Sequence, residues 1–256
     1  MTAQDFSGRR IWVTGASSGI GRATALELAR RGGTVIASAR SYEALDALVR
    51  EGPAGRLAAL ALDVTNRQAT QQTASLIEQR FGGLDIAFFN AGTCEYVDVK
   101  RFDSALVERV IRTNLLSLVY GIEAVLPLLR RSAHPHLVGM SSTVAYGGLP
   151  RAEAYGTSKA AIYYLLQSLR LDLAPEQIPV SIVCPGFVRT PLTDVNDFPM
   201  PFRIEAEDAA CRIADGIAAQ KQEIHFPQRF SIPFKLLAML PGFLYNRLAG
   251  QLVRPT

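Results

Sequence analysis

Seven short apolar runs, rich in branched side chains, punctuate this chain at residues 11–13, 34–39, 57–62, 85–90, 137–141, 180–184 and 223–226. Apolar positions at helical spacing fill the segments between them, around 19–31, 41–50, 66–81, 104–131, 152–173 and 206–219. Continuous apolar strands alternating with helices predict an α/β fold. Its sheet is mostly parallel, seven-stranded, doubly wound and covered by helices on both faces. Right-handed crossovers bring every strand's carboxyl end to one edge, where such sheets bind their ligands. Gly15, Arg40, Asp63, Asn90, Ser142 and Pro185 each stand at or just past a strand end. The polar chemistry of the chain therefore converges on that edge.

No Pro- or Ser-rich linker, charge block or internal repeat interrupts the 256 residues, and one domain accommodates them. Two further helical pieces, 230–240 and 243–253, follow the last strand and are broken at Pro241-Gly242. The net charge is +4, and it belongs to this tail: beyond Glu223 there is no Asp or Glu, yet there are Arg229, Lys235, Arg247 and Arg254. A nucleic-acid surface would interleave many more cations with polar groups, so that class is set aside. Cys94, Cys184 and Cys211 are widely spaced, without metal-ligand or Cys-x-x-Cys spacing. They read as reduced thiols of a cytosolic protein. The N-terminus carries no apolar stretch of the kind a secretory signal needs, so the expected location is the cytoplasm.

The segment from Ser142 to Lys159 carries the densest chemistry. Tyr155 and Lys159 are four residues apart, so at the start of a helix they stand on one face. An ammonium beside a phenol is expected to lower its pKa from about 10 and make it a general acid or base. Ser142 ends the apolar run from His136, which places its hydroxyl at a strand's carboxyl end. A second motif, Thr14-Gly-Ala-Ser-Ser-Gly-Ile-Gly21, follows a strand and opens a helix. That is the context of a dinucleotide-binding turn, where glycines let the backbone approach a pyrophosphate at a helix N-terminus.

Phe89-Asn-Ala-Gly92, Asn114 within Arg112-Thr-Asn-Leu115, and Pro185-Gly-Phe-Val-Arg-Thr190 join these two in order. With them the chain resembles the short-chain dehydrogenase/reductase family, in its compact branch, from Thr14 to Thr190. The resemblance implies a Rossmann-type dinucleotide-binding catalytic domain over 1–227. Residues 228–256 then form a helical tail, packed on it or extending from it. It implies a nicotinamide cofactor held by Gly15, Ser17, Ser18, Gly19, Ile20 and Gly21 of the turn and by Arg40, Asp63 and Val64. Asn90, Ala91, Gly92, Tyr155, Lys159, Pro185, Gly186, Val188 and Thr190 complete that set.

In the roles that the chemistry and the resemblance share, Tyr155 exchanges a proton with the substrate oxygen. Lys159 depresses the tyrosine pKa and holds the nicotinamide ribose, and Ser142 hydrogen-bonds the substrate oxygen. Asn114 holds a water that passes protons to Lys159, or else only satisfies buried backbone groups. No metal is implied, since the hydride chemistry belongs to the cofactor. Ala39 stands where an NAD-selective site would place an acid, and Arg40 follows it. A planar guanidinium suits a phosphate, so NADP is expected, with NAD as the alternative. Asp63 resembles the family's aspartate at the adenine, or else caps the next helix.

Thr143, Val144, Leu149, Pro150, Phe187 and the loop 193–202 are expected to face the substrate. They are mainly apolar, which favours a hydrophobic or lipid-like carbonyl or alcohol. A catalytically silent NADP-binding sensor or scaffold is the competing class, and the complete Ser, Tyr and Lys set speaks against it. The apolar stretch of this basic tail, between Lys235 and Arg247, is far short of the about 20 residues needed to span a bilayer. The tail is expected to lie on a membrane surface, seal a homo-oligomer (dimer or tetramer), or cover the cleft as a lid.

Overall fold

The structure, a computed structural model, describes residues 6–252. Its centre is a parallel sheet of β1 (Arg10–Thr14), β2 (Thr34–Ala39), β3 (Leu57–Ala61), β4 (Ile86–Phe89), β5 (His136–Met140), β6 (Val180–Pro185) and β7 (Glu223–Phe226). The strand order is β3-β2-β1-β4-β5-β6-β7. The chain thus builds outward from β1 in one direction, then returns beside β1 with β4 and builds the other way. The crevice between β1 and β4 is the topological switch point, where the loops leaving two neighbouring strands part.

Alternation along the strands splits the apolar side chains between the two faces. Ile11 and Val13 of β1, with Val35, Phe88, Val138 and Val183, pack against α1 (Gly19–Arg30), α2 (Tyr42–Glu51) and the later α8 (Ala206–Ala218). Trp12, Ile36, Phe89, Leu137 and Ile182 face the other way. They meet α3 (Arg67–Phe81), α5 (Ser117–Leu129) and α6 (Glu153–Leu173). Trp12 is the chain's single tryptophan and is fully buried. Its indole donates to Ser38 Oγ at 2.9 Å, and its ring meets Phe89 edge-on at 5.9 Å.

The sequence pattern predicts one helix over 104–131. The structure has α4 (Ser104–Ile111), one π turn (Arg112–Leu116), then α5. A π turn admits one extra residue into the helical ladder and is frequent at functional sites, and here it carries Asn114. By length and mean hydropathy (1.2) the span Ser104–Leu129 could cross a membrane. In this fold Leu118, Ile122, Val125 and Leu129 bury its apolar face against the sheet.

After the short α7 (Pro191–Asp194), α8 and β7, the tail folds as α9 (Gln228–Ala238) and α10 (Gly242–Ala249). The break falls at Pro241-Gly242 as expected, although the helical piece expected to reach residue 253 ends at Ala249. A 3₁₀ turn (Gly250–Leu252) follows α10. Val253 and Arg254 lie outside the described residues. Of the positions expected for the tail, packed or extended, the described helices are packed. Phe234 is buried with its ring 6.2 Å from Tyr146, Phe230 lies 5.3 Å from Phe187, and Lys235 pairs with Glu223 at 2.7 Å. Tyr245 donates to the Gly148 carbonyl at 2.6 Å.

Candidate active site

The glycine-rich turn between β1 and α1 is held open by its neighbours' proximity. Gly15 has φ +69°, and a Cβ built on it would lie 2.7 Å from Ala91 Cα. One on Gly21 would lie 2.2 Å from the Gly15 carbonyl. No side chain fits at either place, which is the physical content of the motif. Ser18, half-buried Ser17's exposed neighbour, stands at the N-cap of α1 and makes no side-chain bond to it within the described residues. First-turn N–H groups thus face outward, as a pyrophosphate requires.

Asn90 buttresses this turn. Its backbone N–H donates to Thr14 Oγ1 at 3.1 Å, and its amide donates to the carbonyls of Thr14 (3.1 Å) and Gly15 (3.2 Å). Ala91 also donates to Thr14 Oγ1, at 3.3 Å. Expected to line the nicotinamide, Asn90 holds the loops of β1 and β4 together. Thr190 reaches the same turn from β6: a Cβ on Gly19 would lie 3.0 Å from its methyl. Gly186 donates to the Phe226 carbonyl at 2.7 Å. Val188 is buried in the core, and Ile20 and Val64 pack on the two cores from the rim.

At the end of β2, Ala39 is buried and Arg40 exposed. Asp63 accepts from the Thr65 N–H at 2.9 Å and from its hydroxyl at 2.7 Å, and these bonds, with the Arg40 charge, hold its carboxyl low. It does not cap α3. Asn66 does, accepting from the Ala69 N–H at 3.0 Å.

Ser142, Tyr155 and Lys159 come together beyond β5. Ser142 begins the 3₁₀ turn Thr143–Tyr146, accepts from the Val144 N–H at 3.3 Å and reaches the Pro185 carbonyl only at 3.4 Å. A hydroxyl held so loosely can turn to a substrate oxygen. Lys159 is buried and donates to the Met140 carbonyl at 2.9 Å, its ammonium 5.6 Å from the centre of the Tyr155 ring. Burial pulls its pKa down to about 8.

The phenol does not follow the expected direction. Burial raises the Tyr155 pKa, with the Ser142 hydroxyl pulling the other way. Lys159 sits over the ring and spends a donor on a backbone carbonyl. Its charge therefore does not overcome the desolvation of a phenolate.

Asn114, buried on its π turn, accepts from the Thr93 N–H at 2.7 Å and donates to the Thr93 carbonyl and to Ser158 Oγ, both at 2.9 Å. That is the backbone-satisfying arrangement. Both amide hydrogens are spent, and one lone pair on Oδ1 remains for a water. Gly92 keeps the space beside it open: a Cβ there would sit 3.1 Å from Asn114 Oδ1 and 3.4 Å from Lys159 Nζ.

Phe187 and the loop 193–202 are expected near the substrate, but the contacts they make, and the part played by Tyr96, are not legible in the sequence. Tyr96 donates to Asn196 Oδ1 at 2.6 Å, stacks edge-on with Phe198 and lies under the Arg151 guanidinium, 4.9 Å from its ring centre. This clasp joins loops that are 45 to 100 residues apart. Phe187 meets both Phe198 and Phe230, and the tail thereby completes an aromatic wall. Cys94, half-buried near Tyr96 and Lys159, has its thiol pKa pushed up by burial, so it stays a protonated, weakly polar lining group.

A phosphate-compatible helix N-terminus at the β1/β4 switch point, beside a Ser, Tyr and Lys cluster, is the arrangement that a nicotinamide-dependent oxidoreductase requires. The family model for short chain dehydrogenases matches residues 9–198. An uncharacterized oxidoreductase of Myxococcus xanthus is 38% identical over 250 residues, covering 97% of this chain and 99% of that protein. The 3-oxoacyl-(acyl-carrier-protein) reductase FabG of Thermotoga maritima is 34% identical over 189 residues, 73% of this chain and 77% of its own length. Among solved structures, a short-chain dehydrogenase of Streptomyces avermitilis superposes with TM-score 0.79 at 26% identity, covering 95% of each chain. A short-chain dehydrogenase/reductase of Mycobacterium marinum gives 0.81 at 26% identity, over 88% of this chain and 96% of that one. The chain belongs to the short-chain dehydrogenase/reductase family.

Proposed function

We propose that this oxidoreductase works in the cytoplasm, as a homo-oligomer, interconverting a hydrophobic carbonyl compound and its alcohol with NADP(H). The observation that carries this reading is the meeting of Ser142, Tyr155 and Lys159 near the glycine-rich turn, with the aromatic cluster of Phe187, Phe198 and Phe230 just beyond Pro185, whose carbonyl Ser142 approaches. When bound, the nicotinamide supplies or takes up the hydride. Ser142 orients the substrate oxygen and stabilises charge as it develops there. Tyr155 delivers the proton to that oxygen, or removes it in the reverse direction. Lys159, with a pKa of about 8, is largely protonated at neutral pH and keeps a positive charge behind the phenol. Asn114 fixes the loop after β4 against α6. The identity with a 3-oxoacyl reductase supports a carbonyl on an apolar chain.

NADPH consumption across a panel of aliphatic and aromatic carbonyl compounds tests the proposal. The wild-type protein turns over at least one class, and Tyr155→Phe lowers turnover by roughly 10²-fold or more. The variant's melting temperature stays unchanged, because only a hydroxyl is removed. A well-folded Phe variant with near-normal turnover would refute the assignment. A wild-type protein that binds NADPH but consumes none would favour the silent sensor.

A further inference from the structure

Of the seventeen large apolar side chains exposed among the described residues, seven fall within the tail: Ile232, Leu236, Met239, Leu240, Phe243, Leu244 and Leu248. Three of them are unusually bare, with Leu236 61%, Phe243 73% and Met239 80% accessible. Ile232, Leu236 and Leu240 follow one another at four-residue spacing along α9 and its end, and Phe243, Leu244 and Leu248 lie on α10, of whose residues only Tyr245 and Ala249 are not exposed. The tail is committed to the body through Phe230, Phe234, Lys235 and Tyr245. Some residues of the two helices anchor, while the seven apolar ones named above stay exposed.

Charge decides between the occupants of that exposed apolar surface. Arg229 and Arg247 are exposed on the same two helices, and no Asp or Glu follows Glu223 in the sequence. Glu223 itself is half-buried and already accepts from Lys235, Tyr146 and Tyr163. In a two-fold contact the same patch meets itself, so a tail-to-tail dimer would bring these cations together with no acid of the tail helices to answer them. Like charges across an interface oppose it. An anionic phospholipid surface answers both features, since headgroups neutralise the arginines and the acyl boundary takes the apolar side chains. Helices of 11 and 8 residues cannot cross the bilayer and lie in its plane.

We propose that the exposed apolar side chains of the tail dock this protein on anionic membrane. Because Phe230 of α9 meets Phe187 of the aromatic cluster, the docked protein takes its hydrophobic carbonyl from the bilayer. The substrate route rests on the function proposed above, whereas docking stands without it.

The test is co-sedimentation of the full chain with equimolar phosphatidylglycerol and phosphatidylcholine vesicles, and with pure phosphatidylcholine vesicles. Binding to the anionic vesicles at low ionic strength is expected to fall by at least about tenfold in about 0.5 M salt. Replacing Leu236, Met239 and Phe243 together by Glu should weaken it at least about tenfold with an unchanged melting temperature, since all three are exposed. Tyr155→Phe, which removes turnover, is expected to pellet like the wild type, so the failure of catalysis and the failure of docking are read separately. No pelleting with anionic vesicles overturns the proposal, and so does full pelleting of the triple Glu variant. A triple variant of halved sedimentation mass, from a parent that ignores vesicles, overturns it in favour of a second copy.

Discussion

Arg40 is one exposed side chain at the end of β2, and in the function proposed above it is the residue that would choose between two cofactors that differ by a phosphate. A guanidinium donates two parallel charge-assisted bonds to that phosphate, and the buried Ala39 before it offers nothing to a ribose hydroxyl. The wild-type protein is expected to bind NADPH more tightly than NADH. Arg40→Ala should narrow that gap by about 1.5–3 kcal/mol, the worth of hydrogen bonds to a charged group. Isothermal titration with both cofactors measures it, and equal affinities in the unmodified protein would refute the NADP reading. Residues of this kind are legible because a motif fixes their place. Their electrostatics are less so: Tyr155 and Lys159 show their spacing in the sequence, but not that burial lowers the lysine and raises the tyrosine together.

Strands and helices stand within a few residues of the apolar runs that predict them, because a parallel strand covered on both faces must be continuously apolar. What escaped was set by partners distant in sequence. Nothing in Arg112-Thr-Asn-Leu115 signals a π turn, which exists where Asn114 bonds to Thr93 and Ser158. The Tyr96, Arg151 and Asn196 clasp likewise depends on the finished sheet, and so does the choice of Tyr146, Phe187 and Gly148 as the places where α9 and α10, expected either packed or extended, come to rest.

β5 carries an element-level liability in His136, buried at its start. Ser181 Oγ spends its proton on the Lys221 carbonyl at 2.6 Å, so His136 Nε2 donates to that oxygen at 2.8 Å. Burial lowers the imidazole pKa from 6.5 to about 4. Between those values the unfolded chain takes up a proton that the native state refuses, and stability therefore falls as pH falls through this window. The shift corresponds to about 3 kcal/mol lost by pH 4. Urea unfolding at pH 7, 5 and 4 should show this slope, and His136→Asn should flatten it over the same interval. A variant as pH-sensitive as its parent would assign the loss elsewhere.

Across the whole molecule, the candidate site is assembled from segments far apart in the chain, and the tail packs on the body through Phe230, Phe234, Lys235 and Tyr245. Only a fully folded chain has a site. Trp12 makes that state visible to light. It is the single indole, sealed in β1 against Ser38 and Phe89 and three residues before Gly15. A reduced nicotinamide absorbs where a buried indole emits. Loading of the site should therefore dim the protein's ultraviolet emission and brighten the nicotinamide's own, while unfolding should shift the emission to the red. Titrating NADPH into unlabelled protein, with excitation in the indole band, reads the first change. Undiminished tryptophan emission at saturating NADPH would place the nucleotide away from the β1/β4 crevice. One buried ring thus gives the protein separate optical signatures for being folded and for being loaded.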